Sequence, residues 1–158
     1  MAGTASVNTT NYDSRRRSIY LPVVRSALYE VFQAFDFADP SVLNGGRDTT
    51  TVAPQALFMM NGPIVLAESR ALAEALLEGA YDEGVDAAAS DDAGRVRTAY
   101  WRCFGRPPAE GELARALEFV ARYEQAQAGR ADAAEARTRA WQALCRTLLA
   151  ANEFIYIE

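Results

Sequence analysis

Apolar residues recur along this chain at three- and four-residue steps, the period of helices that each bury one face. Val24, Ala27, Leu28, Val31, Phe32 and Phe35 form the first stripe, with Arg25, Ser26, Glu30 and Gln33 opposite. Pro22 suits the first turn of that helix, where a missing amide hydrogen has no intrahelical partner to lose. The helix is expected to end near Phe35, after a short extended lead-in over residues 18–21. A second helix is expected from about residue 52, with Thr50 or Thr51 as its cap. Its residues Ala56, Leu57, Phe58, Met59 and Met60 offer no polar side, which predicts burial all round.

Asn61-Gly62 stops that helix and Pro63 opens a third, which runs to about Glu78. There Val65, Leu72 and Leu76 point inward, and Arg70, Glu74 and Glu78 form an exposed strip with four-residue pairing. Residues 79–90 read as an acidic, alanine-rich loop. Ser90 or Asp91 caps a fourth helix with Val96, Ala99, Tyr100 and Cys103 as its stripe, and Gly105-Arg106-Pro107-Pro108 ends it. A fifth opens near Ala109, with Glu110 and Glu112 placed to suit the helix dipole. Leu113, Ala116, Leu117, Val120 and Tyr123 form its inner face. After a break around Gly129, a sixth helix starts near Asp132 and carries Trp141, Leu144, Cys145, Leu148 and Leu149. It is expected to close at Asn152, leaving Phe154 to Ile157 as an apolar tail that packs back on the bundle. No alternating strand pattern and no repeat occurs. The pattern predicts an all-α protein: an irregular bundle of about six helices in a single domain over residues 15–158, after a flexible polar tail at 1–14.

Composition narrows the chemistry. The 158 residues are enough for one domain with a substantial core. All 16 basic residues are arginine, which removes a Schiff-base or P-loop lysine. Histidine is absent, so a Ser-His-Asp or Cys-His pair, a His-ligated zinc and C-x-x-C-H haem attachment are excluded. A net charge of -5 argues against general nucleic-acid binding, and Arg15-Arg16-Arg17 reads as a solvated run. No apolar run is long enough to span a membrane, and the first residues are not a signal peptide. No cofactor is expected. Cys103 and Cys145 both fall on apolar faces and read as buried thiols, although their pairing stays open.

One stretch stands apart. Residues 35–61 hold the densest group of turn and small polar residues. Asn44-Gly45-Gly46 makes a turn, Thr50 or Thr51 a cap, and Asn61-Gly62 a stop. Asp36, Asp39, Arg47 and Gln55 remain as the candidate polar cluster. Asp36 and Asp39 are the nearest pair for a glycosidase-type acid and base, and Arg47 before the threonines suits an anion at a helix N-terminus. Asp36, Asp39 and Asp48 form a weak calcium alternative without EF-hand spacing. Tyr12, Tyr20, Tyr29 and Phe37 are either a carbohydrate-facing surface or core, with core the commoner use of such aromatics. Met59–Met60 reads as a soft gap-filler.

Five phrases occur in order: RRSIYLPVVR (16–25), FDFADPS (35–41), TTTVAPQALFMMNGPIV (49–65), GRPP followed by EL (105–113), and LCRTLLAANEFIYIE (144–158). Together they resemble the C-terminal part of the planctomycete domain of unknown function DUF fifteen fifty-three. The resemblance implies a place at the end of larger extracytoplasmic proteins, periplasmic or at the cell surface, that also carry cytochrome c-like domains. It brings no catalytic residues. It implies a fragment or shortened copy, because the family's usual start before Arg16 is missing. Ala109 stands where the family tends to have a Ser or Thr cap. The expectation is a non-catalytic packing or interaction module whose partners are other domains of the same protein or complex. The alternative is a polysaccharide-acting or glycan-binding domain with its site in the loop 36–55, so enzymatic activity stays open.

Overall fold

The computed structural model describes residues 17–20, 23, 30–35, 37, 53–80 and 91–156. The protein is all-α: no strand occurs among the described residues. The chain divides into two compact units, Met1–Phe58 and Met59–Glu158.

In the first unit, residues Ser18–Tyr20 form a 3-10 turn rather than the extended lead-in that the sequence suggested. The Tyr20 amide donates to the Arg17 carbonyl at 2.9 Å, a local bond that a three-residue window shows poorly. Helix α1 is described over Glu30–Ala34, and its stripe residue Phe32 is buried. The Phe37 amide donates to the Phe32 carbonyl at 2.9 Å, and the two rings stack with centroids 4.7 Å apart. Phe35 meets Phe58 edge-on at 6.0 Å.

Helix α2 spans Ala53–Asn61 and departs from the expectation of all-round burial. Gln55 and Met59 are buried, whereas Leu57 is 63% exposed and Met60 54%. The reason is helical period. Positions 55 and 59, four apart, share one face, and positions 57 and 60, three apart, share another. An unbroken apolar run carries no polar residue to show which face turns inward.

The second unit holds α3 (Pro63–Leu77), α4 (Asp92–Phe104), α5 (Glu110–Gln127), α6 (Ala133–Leu149) and α7 (Asn152–Ile155). Helix α6 is its axis, packed most extensively on α3 and α5 and also touching α4 and α7. Its residues Ala140, Trp141, Leu144, Cys145 and Leu148 meet Ala73 and Leu76 of α3, Val96, Ala99 and Tyr100 of α4, and Ala116 and Val120 of α5 in one core. Alanines at 73, 99, 116 and 140 let the helix backbones approach, and Trp141 at 0% exposure fills the centre. Fully burying a valine or leucine of this core, such as Val96 or Leu144, contributes roughly 1.5–3 kcal/mol.

The helix ends follow the local chemistry. Asp91 accepts the Gly94 amide at 2.7 Å and Asp132 accepts the Glu135 amide at 2.8 Å, each satisfying an orphan donor of the first turn. Gly105 closes α4 in the left-handed region at φ 69°, where a side chain would be strained. Helix α6, however, stops at Leu149, and Asn152 begins α7 instead of ending α6. The tail packs back only in part: α7 touches α4 and α6, yet Phe154 and Tyr156 keep 41% and 45% of their surface exposed.

Candidate functional site

Of the polar cluster that the sequence singled out, Gln55 is placed on α2, with its side chain buried to 7% exposure. Asp36, Asp39 and Arg47, and the calcium alternative's Asp48, lie outside the described residues, as do Tyr12 and Tyr29. Tyr20 is 70% exposed and Phe37 40%. Among the described residues, no group of three or more His, Cys, Asp or Glu is arranged to hold a metal ion.

The densest charged geometry lies elsewhere, at the junction of α4, α5 and α7. Gly105 turns the chain out of α4, so Arg106 emerges beside the rings of Tyr100 and Phe104, 5.8 and 5.7 Å from their centroids. The two prolines that follow carry the chain to α5, whose first turn presents Glu112. Arg106 Nη1 and Nη2 donate to the two Glu112 oxygens at 2.8 and 3.0 Å. Nε and Nη2 donate to the two Glu153 oxygens at 2.6 and 2.8 Å. Nη1 also donates to the Pro107 carbonyl at 3.1 Å. A guanidinium has five N–H donors, and here each has an acceptor. Paired forks of this kind combine charge with planar geometry.

The electrostatics follow from that pairing. The Arg106 side chain, with the Ala109 amide behind it, holds the Glu112 carboxyl down to about 2. The same guanidinium keeps Glu153 below the usual carboxylate range. In return, Arg106 is held above the ordinary arginine value by the hydrogen bonds it donates to Glu112 and then Glu153. Glu112 also completes the start of α5, accepting the Ala109 amide at 2.7 Å. An alanine methyl accepts nothing, so only half of the reciprocal capping box exists. These side chains hold three chain segments together, and the carboxylates stay ionised and occupied. Sequence reasoning gave Arg106 no role, because periodicity carries no information about a partner 47 residues away.

A second network ties the remaining helices. Arg137 of α6 donates to Asp92 Oδ1 at 2.5 Å and to Glu124 at 3.2 Å. Arg95 bonds the same Asp92 at 2.9 Å and the Leu76 carbonyl at 3.2 Å. Both thiols are free. Burial pushes Cys145 up to about 12 and Cys103 up to about 11, so neither is a thiolate at neutral pH.

Comparison with known families bears on these same residues. The family model for PSD1, a protein of unknown function (DUF1553), matches residues 2–120. The chain belongs to this family. The matched span includes Arg106 and Glu112, while Glu153 follows it. No curated protein and no solved structure matches the chain. No helix among the described residues is long and apolar enough to cross a membrane.

Proposed function

We propose that this family member is a non-catalytic helical packing and interaction module of a larger extracytoplasmic protein, periplasmic or at the cell surface. Its partners are other domains of that protein or complex, a cytochrome c-like domain among them. The observation that carries this proposal is the saturation of Arg106 by Glu112 and Glu153. The strongest charged arrangement among the described residues joins helices to each other and leaves its guanidinium no donor for a substrate. The exposed apolar side chains of α2 and early α3 add support, since Leu57, Met60 and Ile64 are 63%, 54% and 39% exposed. Apolar surface of this kind is stabilised when a partner covers it. The extracytoplasmic location and the cytochrome c-like partner rest on the family resemblance alone.

Co-expression of this chain with the remaining domains of the longer protein tests the proposal. The two portions are expected to co-purify, and the complex to melt above the isolated chain. Met60→Asp should weaken the association about tenfold or more, the scale of an apolar interface anchor, without unfolding the chain. Portions that neither bind nor stabilise each other would remove the proposal's main support.

A further inference from the structure

Helix α6 carries a polar stripe on the side away from Trp141. Glu135, Arg139, Gln142 and Arg146 follow one another at four-, three- and four-residue steps. With Arg70 from α3 and Tyr123 from α5 they line a concavity of about 250 Å³. Three of these six residues are arginines and one is acidic, in a chain whose net charge is -5. The acid is already held: Arg139 Nε donates to Glu135 at 2.8 Å, and Arg70 Nη2 lies 3.5 Å from its other oxygen. Arg70 is held in turn by Glu74, whose carboxylate accepts its Nε at 2.8 Å.

The guanidinium ends are less fully engaged. Arg139 binds Glu135 through Nε, which leaves its two Nη groups directed to no partner among the described residues. Arg146 is half-buried in the same concavity and has no ion-pair or side-chain hydrogen-bond partner among the described residues. Its position contrasts with Arg106, Arg95 and Arg137, each matched to carboxylates. Gln142 is fixed from behind, donating to the Leu66 carbonyl at 3.1 Å, and Tyr123 completes the lining. The surplus is therefore of donors and positive charge, in a space too small for a drug-sized ligand, which needs ~300 Å³ or more.

We propose that the concavity between α3, α5 and α6 binds a small oxyanion, a phosphate, sulfate or carboxylate group, between Arg139, Arg146 and Tyr123. Guanidinium forks match such groups through paired hydrogen bonds. Arg70 and Glu135 position Arg139 and do not contact the anion through their own paired atoms. Because the concavity opens to solvent, binding weakens as salt rises.

The test is a titration of the full chain with inorganic phosphate, sulfate and citrate, each against chloride at matched ionic strength, followed by amide chemical shifts. Saturable shifts centred on residues 135–146 are expected with at least one anion, and the tightest of the three identifies the class of group accepted. Arg146→Gln should weaken that binding at least tenfold with an unchanged melting temperature, since the Arg146 side chain has no ion-pair or hydrogen-bond partner among the described residues. Arg146→Lys should fall between, keeping the charge but losing the fork, and Arg102→Gln on α4 should bind like the parent chain. The absence of saturation above the chloride control overturns the proposal, as does equal binding by Arg146→Gln. Neither result bears on docking to other domains, which is read by co-purification.

Discussion

Arg106 and Glu153 are 47 residues apart in sequence and meet through two hydrogen bonds of 2.6 and 2.8 Å. The pair ties down a four-residue helix that has no buried residue of its own. Glu153→Gln keeps the shape but removes the charge. Amide exchange at Phe154, Ile155 and Tyr156 should then speed up a few-fold, as befits a partly exposed ion pair. Exchange in the α6 core should not change.

Glu112 gives the protein an acid-sensitive joint. Its folded-state value, about 2, lies below the roughly 4.3 of an unperturbed glutamate. A depressed carboxylate contributes stability that is present above the unfolded value and is lost as pH falls through the folded one. Melting temperature should therefore decline between about pH 4.3 and pH 2. Glu112→Gln should lower it at neutral pH and flatten that decline. An acid limb as steep in Glu112→Gln as in the parent would rule out this carboxylate as its source.

Helix starts offer a paired comparison. Ala109→Ser supplies the missing half of the capping box and should stabilise the chain by about 1 kcal/mol, while Asp132→Ala should destabilise it by a similar amount. Urea unfolding midpoints measure both. An Ala109→Ser chain no more stable than its parent would mean that Glu112 alone already satisfies the α5 start.

Truncations separate the core from the surface. Trp141 is fully buried and Leu57 is 63% exposed. Trp141→Ala should cost about 3–5 kcal/mol through the cavity it leaves, and Leu57→Ala within about 0.5 kcal/mol. Similar losses at the two positions would contradict the exposures of these side chains.

The thiols should be slow. With Cys145 pushed up to about 12 and Cys103 up to about 11 by burial, a maleimide or aromatic disulfide reagent at pH 7 should label neither quickly. Unfolding in urea should expose both. Fast labelling of native Cys145 would mean that α6 opens locally.

Much of the second unit was legible from short-range chemistry. Asp91, Asp132, Pro63 and Gly105 mark helix ends, and each acts within four residues of itself. The stripes at Val96, Ala99, Tyr100 and Cys103, and at Trp141, Leu144, Cys145, Leu148 and Leu149, needed only a helical period; seven of these nine are buried, and Cys103 and Leu149 are partly so. What escaped was directional or distant. Met60 turns outward, and nothing in its apolar neighbourhood shows which face of the helix would do so. The partners of Arg106 and Arg137 lie up to 47 residues away, and no local pattern names them. Of the candidate cluster, Gln55 alone has a described place, inside α2. The resemblance carried by the phrases within residues 2–120 reached the family directly, and the structure gives two of their residues, Arg106 and Glu112, a shared task with Glu153, which lies beyond the match.

The packing of α6 against α3 has a consequence for how the protein is made. Residues 63–77 cannot complete their burial until residues 133–149 have been synthesised, because α6 supplies Trp141 and the leucines around it. Contacts so far apart in sequence close late and slow the search for the native state. A nascent chain ending at residue 120, where the family model's match ends, would break off inside α5 with the faces of α3 and α4 uncovered. Such a chain exposes apolar surface for the whole interval before its last long helix emerges, and it is then most open to aggregation or chaperone capture. Residues 133–149 therefore decide whether the helices before them become a folded unit.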